Sequence, residues 1–592
     1  MKMKGCKKII SVLKIAQMIP ASIILFSSLA FSGEAIAALT PTQSQAVRAA
    51  LPGSTEPGVI NNYMTSQIPQ PKIKKGAIVP PPEQKSNPLG PEAEQIKFKL
   101  TQIILEGNHV YSEKELSAIY KNKLNREISV AELQEIVQDI TNYYRNNGYI
   151  LSRAVLPPQQ VKDGIVHIRI IEGYIDHVTV IGTPKGARKL VEAYGEKIAQ
   201  SRPLQMKVME YYLHLANEIP GVQVKAILEP SKTETGASDL NLAAATQTLN
   251  GSFSYDNYGS RYIGPNQDTV NAALNSIFRS GDTTRATYAT TTRPEQLRFY
   301  DISYQSPLGT HGLTGTVGKN HSSTIPGMNL AIVDTKGDAA TWYANLAYPL
   351  LRTRTQNMTL DGGLNYANSN VTTFAGPLYN DHIRSLRFGG NYDFADRWNG
   401  SNLLGLHAEK GLNIWGASNN PNSTQTSRFG ADGIFTKLVA QAARTQPLYK
   451  RLSVFVLMNG QYSFNPLLAT EQFAYGGAQL GRGYDPAEII GDKGFSGTVE
   501  LRMDFQPGYY LLSAVEPYIF YDGGVIWNLK NVGGVGTKQS ATSTGLGTRF
   551  IFTKNFSGNL MIAQPLTKQV TAEELIGRGR CPRGFFSIVA SI

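Results

Sequence analysis

TEQFAYGGAQLGRGYDPAEIIGDKGFSGTVELR, residues Thr470 to Arg502, is a glycine-rich loop running into the clearest strand signal of the chain. From Phe495 to Gln506 the odd positions are Phe495, Gly497, Val499, Leu501, Met503 and Phe505. The even positions are Ser496, Thr498, Glu500, Arg502, Asp504 and Gln506. Strict alternation over so long a run outlasts the five or six residues of an ordinary soluble strand. It fits a strand with one face to acyl chains and the other to a wet lumen. The pattern predicts a membrane β-barrel, and the loop ahead of it brackets one arginine with glycines, Gly481-Arg482-Gly483-Tyr484.

Working outward, the region from about Leu249 to Ile592 carries about sixteen strand candidates and no expected helix, an even number as such barrels require. Short connections, such as Arg279–Asp282, Ser306–Gly309, Arg397–Gly400 and Thr553–Phe556, contrast with long ones. The long ones are Asn320–Asp338, Leu412–Gly433, Asn465–Gly494 and Leu566–Pro582. Short periplasmic turns against long outer loops make Asn465–Gly494 the sixth outer loop, between strands eleven and twelve. The chain ends in Ile592, where Phe586, Ile588, Ala590 and Ile592 alternate as an outward face.

Ahead of the barrel, residues 97–173 and 174–248 predict two small α+β units. In the first, a strand over Phe98–Leu105 precedes capping boxes at Ser112/Glu115 and Ser129/Glu132, each opening a helix. Strands at Tyr149–Leu156 and Gly164–Ile171 complete it. The second repeats the β-α-α-β-β order through Ile175–Gly182, Ala187–Gln200, Pro203–Glu218, Gly221–Glu229 and Asp239–Ala245. Further upstream, residues 61–96 form a Pro-rich extended linker. Residues 38–60 read either as a short helix over Thr40–Leu51 that would plug the lumen, with Pro41 at its first position and Pro52-Gly53 after it, or as an exposed leader segment. Residues 1–37 read as a signal peptide: lysines, an apolar core from Ile15 to Phe31, and Ala35-Ile36-Ala37 as the cleavage site. No later stretch can cross a bilayer as a helix.

Composition narrows the function. The net charge of +12 owes much to the lysines of the leader, and no dense Lys/Arg run remains, so nucleic-acid binding is not indicated. Cys581 is the only thiol after the leader, which rules out an intramolecular disulfide. No HExxH, P-loop or GxSxG occurs, and none of the histidines has metal-ligand spacing, so no catalytic set, cofactor or metal is expected.

Several motifs carry a resemblance. Tyr143-Tyr144, Gly148-Tyr149-Ile150, Leu156-Pro157 and Ile171-Glu172-Gly173 resemble the first POTRA domain of the outer-membrane transporters of two-partner secretion, the TpsB family. Asp256-Asn257-Tyr258-Gly259-Ser260 is similar to their first barrel hairpin. Gly476-Gly477 with Arg482-Gly483-Tyr484 looks like their sixth-loop motif, and Phe520-Tyr521-Asp522-Gly523-Gly524 like their thirteenth-strand motif. The resemblance implies a barrel of about sixteen strands behind two periplasmic POTRA domains. It also implies a lumen pair between Arg482 and Asp522, and export of a secreted TpsA-type passenger through the outer membrane. The transporter is expected to be a monomer in outer-membrane lipid, not an enzyme. One departure is Gly481, where the family usually has an apolar β-branched residue, which predicts a less firmly seated loop tip.

The residues support the pair on their own account. Asp522 shares a face with Tyr518 and Phe520, opposite Ile519 and Tyr521. An aspartate on the lipid face is costly, so it belongs in the lumen, where an arginine fork satisfies a carboxylate best. A solvated loop arginine beside an unrelated aspartate is the competing reading, and Glu500 is the second candidate partner. The rival function is a barrel-assembly insertase for other outer-membrane proteins, disfavoured by the count of only two POTRA-like units. An outer-membrane enzyme on a barrel scaffold is disfavoured by the missing catalytic set.

Overall fold

The structure is a computed structural model that describes residues 47–48, 51–65, 92–182, 186–509, 511–530, 537–574 and 576–592. The signal peptide, most of the Thr40–Leu51 helix and linker residues 66–91 lie outside the described residues.

The first unit covers its helices' apolar stripes with two small sheets. Lys97–Leu100 pairs antiparallel with Arg126–Ser129, while Gln102–Glu106 runs parallel to Ile165–Ile171, flanked by Arg153–Val155. Helices Glu113–Tyr120 and Val130–Asn146 open on the expected capping boxes, in which both reciprocal hydrogen bonds form. Leu133, Ile136, Val137, Ile140 and Tyr144 of the longer helix pack on Ile103, Val166, Ile168 and Ile170. The expected strand Phe98–Leu105 is therefore two strands, divided at Thr101, whose N–H turns to the carbonyl of Gly164 (2.8 Å). The expected strand Tyr149–Leu156 shrinks to Arg153–Val155, because Tyr149 N–H still caps the helix through Tyr144 O (3.0 Å). Arg126–Ser129 is an added strand, and Ser129 serves both as its last residue and as the helix cap. The motif residue Glu172 ties the unit together locally, since its carboxylate accepts from His109 N, Val110 N and the Tyr144 hydroxyl, each at 2.8 Å.

The second unit has strands Ile175–Ile181, Val222–Pro230 and Ser238–Thr246 under helices Arg188–Ala199 and Met206–Glu218. The second helix begins at Met206, later than Pro203 suggested, because Leu204 N–H bonds Gly173 O (2.9 Å) outside it. A bulge at Asp176-His177 brings both residues beside Asp239, with His177 Nδ1 3.0 Å and 3.6 Å from the two carboxylates. Their ligand atoms lie within 4.8 Å of one another, a grouping that spacing along the chain could not reveal.

Beyond it, sixteen antiparallel strands close on themselves, from Leu249–Asp256 to Arg583–Ser591, which pair through Ser587↔Asp256 to Ser591↔Ser252. Along the twelfth strand, Lys493–Met503, Phe495 and Val499 are each 50% exposed, while Ser496, Thr498 and Glu500 are buried. The alternation thus separates an outer apolar wall from a lumen. That strand stops at Met503, short of Gln506, because Asp504 N–H turns to Arg451 O. In the closing strand Ile588 and Ile592 face out and Phe585 faces in. The last long loop carries a one-turn helix, Thr571–Glu574, where none was expected. Among the described residues no helix is long and apolar enough to cross a membrane.

A helix over Pro57–Thr65 lies inside the barrel. Residues 47 and 48, the described part of the expected Thr40–Leu51 helix apart from Leu51, are helical, and Pro57–Thr65 is a further helix after Pro52-Gly53 that takes the first residues, 61–65, expected to be linker. Pro57 fills the first helical position, where its missing N–H costs nothing. Asn61 Nδ2 donates to Asn320 Oδ1 (2.5 Å), and Ser322 Oγ donates to Pro57 O (2.9 Å), both on the lumen face of the fifth strand, Thr314–Thr324.

Val499 sits mid-strand on the outer wall, so Val499→Arg should destabilise the folded barrel by about 2–4 kcal/mol in lipid. Equilibrium unfolding in vesicles measures the loss.

Candidate functional site: the sixth loop in the lumen

Residues 464–492, between the eleventh strand Leu452–Ser463 and the twelfth, fold back into the barrel. The loop forms a small hairpin, Phe473–Tyr475 against Ile489–Gly491, and its tip carries Arg482. Arg482 is 4% exposed and Asp522 0%. The backbone N–H and Nε of Arg482 donate to Asp522 Oδ2 at 2.8 and 3.0 Å, and Nη2 donates to Oδ1 at 2.6 Å. Nη2 also meets Thr498 Oγ1 (2.6 Å), and Nη1 donates to Glu500. The guanidinium lies 3.6 Å from the Phe520 ring centroid. Asp522, Thr498 and Glu500 converge because Thr498 is the register partner of Asp522 and Glu500 that of Phe520. Both candidate carboxylates therefore meet the same arginine.

Glu500 is shared further, with Arg502 Nε at 2.6 Å and Arg549 Nη2 at 3.0 Å, and Arg549 also holds Glu516 (2.5 Å). Three arginines face three carboxylates, so the cluster, buried except at its part-exposed edge of Arg549 and Glu516, is neutral overall. Isolated buried charge is prohibitive, whereas a fully paired cluster is tolerated. Beside it, Gly483 N–H donates to Ser543 Oγ (3.3 Å) and the Tyr484 hydroxyl donates to Thr542 O (2.8 Å).

Gly481 does not loosen the tip. Its φ is +80°, and a Cβ there would lie 2.8 Å from Tyr475 Cζ. Only glycine fits both the backbone and the space. The Tyr475 ring packs where the family's side chain would stand.

Sequence reasoning missed three further tethers. Lys437 of the tenth strand, Thr436–Tyr449, pairs with the loop's Glu471 (2.5 Å) and with Glu409 (3.4 Å). Asp485 pairs with Arg583 of the last strand (2.7 Å). Asp492 takes Arg428 of the preceding outer loop, and accepts from Leu467 N (2.9 Å) and Leu529 N (2.8 Å). Each partner is far away in sequence and lies on a strand or loop with no motif around it. The lumen helix completes the obstruction: Asn62 Nδ2 donates to Thr470 O (2.7 Å), and the Tyr63 hydroxyl accepts from Ala478 N (3.1 Å).

Comparison with known proteins places this geometry. The model of the haemolysin secretion/activation proteins ShlB/FhaC/HecB matches residues 236–550, more than half of the chain. This chain belongs to that family. The ShlB-type POTRA domain matches residues 98–173. A heme/hemopexin transporter protein, HuxB of Haemophilus influenzae strain 86-028NP, is 23% identical over 529 residues, 88% of this chain and 92% of the relative. The outer membrane transporter CdiB of Dickeya dadantii is 24% identical over 414 residues, 67% and 71% of the two chains. The solved structure of CdiB from Escherichia coli shares the fold, with a TM-score of 0.67 at 19% identity over 94% of this chain and 100% of that one. The barrel of this ShlB/FhaC/HecB-family chain sits in the outer membrane with its POTRA units in the periplasm.

Because the Tyr475 ring occupies the space, Gly481→Val should unseat the tip and raise single-channel conductance in planar bilayers. Unchanged conductance would show that the tip tolerates a β-branched residue.

Proposed function

We propose that this chain is the outer-membrane pore for one secreted TpsA-type partner protein, working by two-partner secretion as a monomer. The observation that carries the reading is the Arg482–Asp522–Glu500 junction, which holds a loop inside a closed barrel. A loop anchored there blocks the lumen until it shifts, as a gated conduit requires. Because the strands close within one chain, a single copy makes a complete pore. The relatives named as heme/hemopexin, hemolysin and CdiB transporters support a passenger of haemolysin, adhesin or toxin type.

The passenger arrives extended in the periplasm and docks on the POTRA units. Arg153–Val155 and Val222–Pro230 are edge strands, and an extended peptide can add to such an edge through main-chain hydrogen bonds. The second unit is braced on the barrel mouth: Arg352 holds Glu218 (2.9 Å), and the Tyr211 hydroxyl donates to Pro349 O (2.9 Å). Docking force is therefore delivered at the periplasmic rim. Passenger folding outside the cell supplies the drive, since a folded domain does not return through a narrow lumen.

Arg482→Ala should abolish passenger release into the medium while the barrel remains folded, seen as heat-modifiable migration on gels. Arg482→Lys should not rescue it, because a point charge cannot reproduce the fork. Undiminished export by Arg482→Ala would refute the role given to the junction. Deleting the chain should cost one large secreted protein, whereas broad loss of barrel proteins would favour the assembly-factor reading.

A further inference from the structure

The periplasmic rim of the barrel treats its cations in two ways. In the sector under the second POTRA unit they are answered by protein carboxylates: Arg352 pairs with Glu218 (2.9 Å) and Arg354 with Glu210 (3.0 Å). Three further periplasmic turns follow around the rim. The first, 396–400, joins strand eight, Gly376–Ala395, to strand nine, Ser401–Gly411. The second, 450–451, joins strands ten and eleven. The third, 504–513, joins strand twelve to strand thirteen, Ala514–Trp527. They form one surface, because Gln446 Nε2 of strand ten donates to Trp398 O (2.9 Å) and Asp504 N–H donates to Arg451 O (2.9 Å).

Each of these turns sets an exposed cation against a ring. Arg397 lies 4.7 Å from the Trp398 ring centroid, Lys450 5.0 Å from that of Tyr449, and Arg451 5.6 Å from that of Phe505. A ring covers one face of a cation and leaves its N–H donors open. Among the ion pairs of the described residues, none of the three cations has a carboxylate. The turns contain two acids, and Asp396 is taken by Arg444 (2.5 Å), so three cations stand against Asp504. The apolar side chains here are also out in the open: Trp398 is 62% exposed, Tyr449 68% and Tyr509 72%, with Leu511 beside them. Scattered singly they would need no explanation, but they are contiguous and continue the outer wall that hydrocarbon covers. The third turn is braced as a small hairpin by the bridges Phe505↔Val515 and Tyr509↔Leu512, so the exposure of Tyr509 and Leu511 is built in. Tryptophan and tyrosine interleaved with basic residues are what a membrane–water interface selects.

We infer that this sector of the rim binds anionic phospholipid of the periplasmic leaflet, its phosphate toward Arg397, Lys450 and Arg451 and its glycerol and upper acyl region against the rings. The excess of positive charge selects the anionic headgroup, since a zwitterionic one brings a cation of its own. Continuity with the lipid-facing wall selects a lipid over a soluble phosphate. Phosphates thus do on this side of the mouth what Glu210 and Glu218 do on the other, and the barrel is held at a fixed depth around its rim.

The test uses the full-length protein in nanodiscs of equal phosphatidylcholine and phosphatidylglycerol, with the retained lipid read by native mass spectrometry. Wild type should keep phosphatidylglycerol in preference to phosphatidylcholine. Arg397→Gln with Arg451→Gln should weaken that preference at least about ten-fold, as the loss of two charges at a bilayer surface predicts. Arg279→Gln with Lys554→Gln removes the same charge from other periplasmic turns and should leave the preference near the wild-type value. Trp398→Ala with Tyr449→Ala keeps all three cations and should weaken retention as well. Heat-modifiability confirms that each variant is folded, and export is scored separately, so a failed lipid site and a failed pore are distinguishable. Equal loss in the two charge-matched variants would overturn the assignment, because it would mean attraction to net charge only. So would equal retention of both lipids by wild type. Loss of export by Arg397→Gln with Arg451→Gln at unchanged lipid preference would also overturn it, giving the surface to the passenger.

Discussion

A guanidinium inside a barrel must be answered by carboxylates, and that requirement organises the lumen of this chain. Arg482 cannot be left unpaired at 4% exposure, so its loop must reach the wall where Asp522 and Glu500 lie on adjoining strands. Those carboxylates in turn would be intolerable without it. The pairing adds little net stability, because desolvation offsets most of the Coulomb gain. What it supplies is position: loss of either partner strands a buried charge, at a cost of about 3–5 kcal/mol. The loop is thus placed by the penalty for being elsewhere.

The same logic recurs along the loop. Glu471, Asp485 and Asp492 each meet a cation from a different part of the barrel, and together with Arg482 they fix the loop near both its ends and at its tip. Four charged anchors make the loop's place unique, since a shift would leave several charges unmatched at once. Such a lock is also sensitive to water. Flooding of the lumen raises the local dielectric and weakens every pair together. A passenger that brings solvent with it would loosen the lock without having to break each pair in turn.

How much of this can be read from the chain depends on the range of the forces involved. Barrel strands are legible because lipid and water impose a period of two over the full length of a strand, as Phe495 to Met503 displays. Asp522 is legible for the same reason: its phase puts it inside. Capping boxes are legible because they close within one helical turn, and both form. Local pattern fails where distant partners overrule it. Phe98–Leu105 reads as one strand, yet Thr101 is drawn to Gly164 and splits it between two sheets. The expected helix over Thr40–Leu51 rests on Pro41 as a starter. The same rule applies at Pro57, but Pro52-Gly53 resembles an end, so the second helix that lumen contacts to Asn320 and Thr470 hold there is not legible. Gly481 reads as a weakness against the family's habit, and the Tyr475 ring that reverses its meaning lies six positions upstream, in a hairpin with no sequence signal of its own.

The helix in the lumen and the sixth loop are held by different proportions of neutral and charged bonds, and this grades their release. Helix Pro57–Thr65 itself is attached through neutral groups: Asn61 to Asn320, Asn62 to Thr470, Tyr63 to Ala478 and Ser322 to Pro57. The residues ahead of it are anchored by buried charged ones: Tyr379 donates to Glu56, and Arg48 to the carbonyls of Leu378, Thr424 and Thr426. Each neutral bond contributes about 0.5–1.5 kcal/mol net, and water can replace it group by group. The sixth loop is attached through buried charges whose separation leaves ions uncompensated, at several-fold higher cost. A ramp in force or hydration therefore loosens the helix's own contacts before the loop's, while Glu56 and Arg48 still hold the segment ahead of it. The helix is also joined by the chain to the first POTRA unit on the periplasmic side. Strain applied where the second unit grips the rim, at Arg352 and Pro349, is closer in kind to what the helix can yield to than to what the loop can. Opening is then graded by chemistry: the helix's neutral contacts yield first, and the charged anchors of Arg48, Glu56 and the sixth loop yield after them.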